Sequence, residues 1–221
     1  MKLLLSRHGN TFDPGDRIFW VGRSEDMPLV EKGRQQADDL GTVLKKSRAL
    51  VAIYSGPLMR TRDYAAIVGE HLAEKPPILV DKRLDELDYG QWSGLTDLEV
   101  AEKFGEESLN GWNRHCQWPT EAGWDSNPDE VLAQVRGFVE EVAEKYPPDS
   151  TVLAITSNGV LRYFLKLDES SFADRVEQGS FKVATGRVCL LTIESGAVKV
   201  DIWDVLPFRL QELLIAEKIV V

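Results

Sequence analysis

The sequence has little cysteine, no long hydrophobic run and no excess of positive charge. Its 221 residues include two cysteines, Cys116 and Cys189, which lie far apart and in no spacing typical of a metal site. This scarcity excludes a disulfide-stabilised scaffold and favours a reduced, cytoplasmic protein. The apolar run near the N-terminus is too short for a signal peptide, and no stretch approaches transmembrane length, so no membrane association is expected.

The charge balance of the chain is acidic. Asp and Glu number 36 against 26 Lys and Arg, which gives a formal net charge of −10. Such a protein repels polyanions at long range, so nucleic acid and anionic membranes are poor partners. A small anionic ligand would bind only where cationic side chains are concentrated locally, and any cluster of arginines is therefore a candidate site.

The apolar residues predict strands that alternate with helices. Short apolar runs predict strands over residues 2–6, 51–55, 78–80 and 151–156, followed by a hairpin of 188–193 and 198–203. Helical spacing predicts helices over residues 31–46, 58–72, 127–146 and 160–167. This alternation predicts a three-layer α/β/α sandwich with a mixed, mainly parallel sheet.

The length suits a single domain over residues 1–221 that contains one irregular excursion. Residues 96–126 have weak periodicity and hold Trp112, Trp118 and Trp124, so we expect an excursion or lid there. These tryptophans are expected to serve packing more than substrate recognition.

The C-terminal tail is too apolar to remain in water, because disordered tails are polar. Its apolar residues are Leu210, Leu213, Leu214, Ile215, Ile219, Val220 and Val221. The tail is predicted to pack either on the domain or on a second subunit, and in the second case the protein would be a homodimer.

Polar residues that could act in catalysis or ligand binding follow the predicted strands. Arg7-His8-Gly9-Asn10-Thr11 follows the first strand, and the segment ending in Arg60 follows the second. Leu84-Asp85-Glu86 comes soon after the third, and Ser157-Asn158-Gly159 follows the strand at 151–156. In open α/β sheets, ligands bind beyond the carboxyl ends of the strands, which is where all four groups fall.

These segments resemble the motifs of the histidine phosphatase family, which includes the cofactor-dependent phosphoglycerate mutases. The family's Arg-His-Gly-Glu-Thr opening corresponds to residues 7–11, and its Ser-x-Leu-x-Arg segment corresponds to residues 56–60. Its Leu-x-Glu-x-x-x-Gly-x-Trp-x-Gly segment corresponds to residues 84–94, and residues 22–31 and 33–37 also fit. The likeness continues to about Arg162, with a gap in the excursion.

The resemblance implies that His8 attacks phosphorus and carries the phosphoryl group, while Glu86 protonates the leaving oxygen. It implies phosphate binding by Arg7, Arg60, Asn10 and Asn158. A phosphoryl group in transfer spreads negative charge over its oxygens, and arginines supply bidentate, charge-assisted hydrogen bonds to such groups. No His, Cys, Asp or Glu cluster has metal-ligand spacing, so neither a metal nor a cofactor is expected.

The sequence departs from the family at the second histidine, in whose place Asn158 stands. An amide keeps a donor but carries no charge, and the lost charge is worth about 1–2 kcal/mol, or roughly tenfold in rate or more. Asn158→His is therefore expected to raise turnover, unless the pocket is rebuilt around Asn158 with Arg162 as the charged donor. Pro14 also replaces a frequent Asn, and residues 123–126 are the nearest match to a substrate-binding Gly-Glu-Ser segment.

The function expected from these residues is a metal-independent phosphomonoesterase that acts on a small phosphorylated metabolite. A phosphoglycerate-mutase-type phosphotransferase ranks lower, because residues 86–94 look more like the phosphatase branch of the family. A third alternative, a catalytically weakened phosphometabolite-binding or regulatory protein, rests mainly on Asn158.

Overall fold

The computed structural model of the chain describes residues 1–45, 47–125 and 127–217, with side chains described up to residue 213. Within these residues the strands are β1 (Lys2–Arg7), β2 (Leu50–Ser55), β3 (Ile78–Val80), β4 (Thr151–Thr156), β5 (Val188–Glu194) and β6 (Ala197–Val205). The α-helices are α1 (Glu31–Leu44), α2 (Met59–His71), α3 (Asp97–Phe104), α4 (Glu106–His115), α5 (Pro128–Lys145), α6 (Asn158–Leu165), α7 (Glu169–Glu177) and α8 (Pro207–Glu217).

The strands form one mixed sheet in the order β3-β2-β4-β1-β5-β6. Parallel pairing joins β3 to β2, β2 to β4 and β4 to β1, whereas β5 runs antiparallel to both β1 and β6. The four parallel strands therefore end at the same edge of the sheet, and β1, β2 and β4 lie side by side there. The predicted mixed, mainly parallel sheet is confirmed.

Helices cover both faces of this sheet because its central strands are apolar on both sides. Leu3 and Leu5 of β1 belong to one buried cluster, together with side chains of α5 and α6. Leu4 of β1 belongs to a second cluster, together with side chains of α1, α2 and α8. Alternation along the strand thus places successive leucines in opposite layers. This is the three-layer α/β/α arrangement expected from the sequence.

Three short helices, α3, α4 and α7, were not expected from the apolar pattern. Helix α3 buries one residue, Val100, and α7 buries none, so neither has the wide apolar stripe on which sequence periodicity depends. A local signal did exist at α3, where Thr96 and Glu99 form a reciprocal capping box. Helix α6 also begins earlier than expected, so that Asn158 lies in its first turn.

The tryptophans of the excursion pack against one another. Trp124 makes edge-to-face contacts with Trp92, Trp112 and Trp118, with ring centroids 5.2, 4.8 and 4.7 Å apart. Such edge-to-face pairs add to the stabilisation that burial alone provides. This cluster ties the excursion to the layer of α5 and α6, in agreement with the expected packing role, although Trp112 also borders the cleft described below.

The described part of the C-terminal tail packs on the domain. Leu210 of α8 is fully buried, and Leu213 contacts the same cluster as α1 and α2. The side chains of Leu214 and Ile215, and all of Ile219, Val220 and Val221, lie outside what the structure describes, so a second subunit stays a prediction. Over the described ranges, no helix combines the length and apolarity needed to cross a bilayer.

A close backbone contact holds the loop after β1 against the start of α1. A Cβ atom on Gly33 would collide with the backbone of Asn10, and one on Gly9 would collide with the backbone of Gly33. The Val30 N–H also donates to the Asn10 carbonyl at 3.1 Å. The two glycines therefore permit the approach that fixes the loop carrying His8.

Gly33→Ala should lower the free energy of unfolding by about 1–3 kcal/mol, because overpacking a rigid contact forces backbone shifts. Gly137 is the matched control, since it also lies within a helix but a Cβ there would meet no atom. Gly137→Ala should raise stability by about 0.5–1 kcal/mol through its higher helix propensity. Denaturant unfolding of the three proteins measures both effects, and equal stability of both variants would contradict the contact.

Candidate functional site

A cleft of about 1110 Å³ lies beyond the carboxyl ends of the parallel strands. Its walls come from the loop after β1, the N-terminal turns of α2 and α6, the segment after β3, α4 and the loop before β5. All the residues singled out from the sequence line it, namely Arg7, His8, Asn10, Arg60, Glu86 and Asn158. Tertiary structure thus brings together residues that are up to 151 positions apart in the chain, from Arg7 to Asn158.

His8 is held as a neutral imidazole with one nitrogen engaged. It follows β1 directly, is 6% exposed, and its Nδ1 lies 2.8 Å from the Gly9 carbonyl oxygen. Because a carbonyl only accepts hydrogen bonds, Nδ1 carries the proton and Nε2 keeps its lone pair. Burial, and then the charges of Arg7 and Arg60, lower the pKa of His8 well below 6.5. The arrangement leaves an unprotonated ring nitrogen beside two cations.

Arg7 and Arg60 are both oriented by backbone carbonyls. Arg7 Nη1 donates to the Val183 carbonyl at 2.7 Å, and its Nε is enclosed without a partner. Arg60, which is 2% exposed, donates from Nη1 to the Glu25 carbonyl at 3.0 Å and from Nη2 to the Gly22 carbonyl at 2.7 Å. Carbonyls fix the positions of these guanidinium groups without neutralising their charge.

A third arginine, Arg162, also lines the cleft and is 1% exposed. Sequence reasoning had named it as an alternative donor but not as part of the site. Across residues 1–45, 47–125 and 127–213, none of Arg7, Arg60 and Arg162 forms an ion pair with a carboxylate. Although the chain has ten more acidic than basic residues, no described acidic side chain pairs with the cleft arginines.

Glu86 is a buried carboxyl group in the same cleft. Its Oε1 accepts a hydrogen bond from the Leu87 N–H at 2.9 Å, and the Gly159 N–H also interacts with the carboxyl group. Burial raises the pKa of Glu86 above 4.5, in opposition to the favourable charges of Arg60 and Arg7. The group therefore retains its proton at higher pH than an ordinary glutamic acid does.

The space around Glu86 is defined by its neighbours on α6 and in the segment after β3. A Cβ on Gly159 would collide with Glu86 Oε1 and would lie 2.8 Å from the Tyr89 hydroxyl. Burial, followed by the charge of Glu86, raises the pKa of Tyr89, so its hydroxyl remains protonated. The absent side chain at position 159 thus gives the carboxyl group room at the end of β4.

Asn158 is tied to the loop before β5. Its Oδ1 accepts a hydrogen bond from the Val183 N–H at 3.0 Å, and its Nδ2 donates to no group among the described residues. Asn10 is tied to the same loop through a hydrogen bond from Thr185 Oγ1, while its backbone N–H donates to Gln36 Oε1 at 2.9 Å. Both amides therefore have structural partners as well as positions in the cleft wall.

Lys182 is a cationic residue of the cleft that sequence reasoning missed. It lines the cleft beside Arg162 and donates from Nζ to Asn113 Oδ1 at 2.9 Å. No motif includes it, since it lies in the loop before β5, 20 residues after Arg162. In the part of the chain that the structure describes, no group of three or more His, Cys, Asp or Glu side chains could hold a metal ion.

Comparison with known proteins agrees with the resemblance. The family model described as histidine phosphatase superfamily (branch 1) matches residues 3–205. The chain is 30% identical over 174 residues to 2,3-bisphosphoglycerate-dependent phosphoglycerate mutase 2 of Gloeobacter violaceus, a match that covers 76% of each protein. It is 32% identical over 152 residues to phosphoserine phosphatase 1 of Hydrogenobacter thermophilus, which covers 66% of each.

Solved structures give the same result. The mycobacterial glucosyl-3-phosphoglycerate phosphatase in complex with VO3 has a TM-score of 0.77 and 27% sequence identity, covering 92% of this chain and 98% of that one. Relatives of this chain thus include both phosphatases and mutases.

The contact between Asn158 and Val183 changes what is expected of Asn158→His. A charged imidazolium has no acceptor, so it would leave the buried Val183 N–H unpaired at a cost of about 1–3 kcal/mol. A neutral imidazole could accept this bond, but it would add no charge to the cleft. We therefore expect a lower melting temperature and no gain in kcat, instead of the tenfold gain expected from sequence alone.

The test measures thermal unfolding, and kcat on whichever substrate the unaltered protein turns over fastest. Asn110→His is the matched control, because Asn110 is exposed on α4 and does not line the cleft. It should match the unaltered protein in both respects. A tenfold higher kcat in Asn158→His would restore the sequence-based expectation.

Proposed function

Because the chain belongs to the histidine phosphatase superfamily, we propose that it is a phosphomonoesterase that removes phosphate from a small phosphorylated metabolite through a phosphohistidine on His8. The few cysteines support a cytoplasmic location for this activity.

One observation carries the proposal: a neutral, buried histidine lies beside arginines that have no carboxylate partner among the described residues. Buried cations are normally paired, so an anionic ligand is the natural partner for these groups. A phosphoryl group also gains most from such donors as its charge shifts onto the bridging and equatorial oxygens during transfer. The site is thus suited to binding an anion and to stabilising its transfer.

The reaction would proceed in two steps with the residues in these positions. His8 Nε2 attacks phosphorus while the bond to the leaving oxygen breaks, and Glu86 gives its proton to that oxygen. Glu86, now a carboxylate, takes a proton from water as the water oxygen attacks phosphorus and the bond between phosphorus and His8 Nε2 breaks. Inorganic phosphate leaves, and both His8 and Glu86 return to their starting states.

Hydrolysis is preferred over phosphoryl transfer between positions of a substrate. The segment 86–94 favours the phosphatase branch, and the cleft is large enough for water to reach His8 beside a small ligand. The relatives named phosphoserine phosphatase and glucosyl-3-phosphoglycerate phosphatase support the same choice. Release of inorganic phosphate without isomerisation of the substrate distinguishes the two reactions.

The phosphohistidine intermediate can be labelled and located. Incubation with p-nitrophenyl phosphate in EDTA, followed by a base quench, should leave an acid-labile phosphate on His8 that mass spectrometry can locate. His8→Ala should lose the label and at least about a thousandfold in kcat, because the nucleophile is removed.

His71→Ala is the matched control, since His71 does not line the cleft. Its Nε2 lies within hydrogen-bond distance of Asp38 Oδ1, at 2.8 Å. That variant should be labelled normally. Normal turnover by His8→Ala would refute the mechanism, and a loss of activity in EDTA that a divalent ion restores would refute metal independence.

The pH dependence of kcat/KM follows from the shifted pKa values of His8 and Glu86. The fall of kcat/KM at acid pH should begin below pH 6.5, because the lowered pKa of His8 keeps its imidazole neutral down to a lower pH than usual. The alkaline limb should lie above pH 4.5, where Glu86 with its raised pKa finally loses its proton. Glu86→Gln should lower kcat/KM by about a hundredfold or more and abolish the alkaline limb.

Asp88→Asn is the control for that limb, because Asp88 lies two residues away, outside the cleft, and its Oδ1 accepts from the Gly90 N–H at 2.8 Å. An asparagine can keep this bond, so the pH profile should not change. An alkaline limb that persists in Glu86→Gln would show that another group is the acid.

A further inference from the structure

Resting on the proposed function, we propose that Arg162 and Lys182 form a second anion subsite that binds a carboxylate on the leaving portion of the substrate. The subsite lies in the wall of the cleft made by α4, α6 and the loop before β5. Its occupant would make the preferred substrate a phosphomonoester with a carboxylate.

Arg162 is held rigidly by aromatic rings and one carbonyl. Its guanidinium carbon lies 3.9 Å from the centre of the Trp112 ring and 5.0 Å from that of Phe181. Its Nη1 donates to the Trp112 carbonyl at 2.7 Å. Stacking and this hydrogen bond fix the plane of the guanidinium, which lowers the entropy lost when a ligand binds.

The remaining donors of Arg162 have no partner among the described residues. Nε is enclosed and unbonded, and neither Nε nor Nη2 donates to any atom of the described residues. Burying a cation without a counter-charge costs free energy, and the binding of an anion offsets this desolvation cost. Because Nε is enclosed, Nη2 is the donor left for a ligand, and it can give a carboxylate oxygen a charge-assisted hydrogen bond.

Lys182 adds a second, more exposed cation on the same wall. Its Nζ is directed by Asn113 Oδ1 at 2.9 Å and forms no ion pair with the described residues. Asp97, the acid whose charge favours charged Lys182, instead accepts a hydrogen bond from Trp20 Nε1 at 2.9 Å. A carboxylate between Lys182 and Arg162 would neutralise repulsion that the protein itself leaves in place.

This subsite adjoins the phosphate site but is distinct from it. The cations that act on His8 are Arg7 and Arg60, whereas those that act on Lys182 are Arg162 and Arg7. Arg7 therefore borders both places, since it also donates to the carbonyl of Val183, the residue that follows Lys182. One substrate can accordingly place its phosphate at His8 and a carboxylate at Arg162 and Lys182.

The test compares two esters that differ in one group: 3-phosphoglycerate, which has a carboxylate, and glycerol 3-phosphate, which has a hydroxymethyl group in its place. Wild-type kcat/KM should favour 3-phosphoglycerate by about tenfold or more, as expected for charge-assisted hydrogen bonds. Lys182→Met should reduce this ratio several-fold, and Lys103→Met, which alters an exposed lysine of α3 outside the cleft, should leave the ratio unchanged.

Calorimetric titration of His8→Ala with both esters measures the same preference without turnover. Tighter binding of 3-phosphoglycerate to His8→Ala, weakened when Lys182→Met is added, would support the subsite. This holds even if the wild-type protein hydrolyses neither ester, because that result would count only against the proposed hydrolysis. Arg162→Met, checked by thermal unfolding, should abolish the preference. Equal affinity for the two esters, or no measurable binding of 3-phosphoglycerate, would overturn the subsite.

Discussion

Buried arginines held by backbone carbonyls are the interaction on which the site depends. Arg7 and Arg60 donate to the carbonyls of Val183, Gly22 and Glu25, and Arg162 donates to that of Trp112. A carboxylate in place of these carbonyls would neutralise the cations and compete with an anionic ligand. Carbonyl dipoles orient the guanidinium groups while leaving the cleft positive, in a chain whose net charge is −10.

The same burial sets the protonation states of the two groups proposed to move protons and phosphate. Desolvation disfavours a charge on either side chain, so it lowers the pKa of His8 and raises the pKa of Glu86. The nearby arginines act in the same direction as burial on His8, but in the opposite direction on Glu86. Burial therefore favours the neutral form of both groups, which is the combination that the first step requires.

Small residues bring the site elements close enough for these effects to operate. Gly9 and Gly33 allow the His8 loop to touch the start of α1, and Gly159 leaves room for Glu86 at the end of β4. Behind them, the parallel pairing of β1 with β4 and of β4 with β2 carries the loops to the same edge of the sheet. Sheet topology thus sets the position of the site, and glycines allow its elements to pack closely.

The sequence by itself determined the layered fold and most of the proposed phosphate site. Apolar runs and helical spacing are local signals, and the motifs around His8, Arg60, Glu86 and Asn158 come soon after strands, so each could be placed without knowledge of distant contacts. The short helices α3, α4 and α7 could not be predicted this way, because they bury few residues and their position depends on contacts such as the tryptophan cluster.

Only the tertiary structure decided what surrounds those residues. The bond from Val183 to Asn158 spans 25 positions, and the carbonyl of Trp112 holds Arg162 from 50 positions away. Lys182 enters the cleft from a loop with no motif at all. Local patterns report which face of an element is apolar and which residue types are present, whereas desolvation and unpaired charge arise from segments that meet only when the chain has folded.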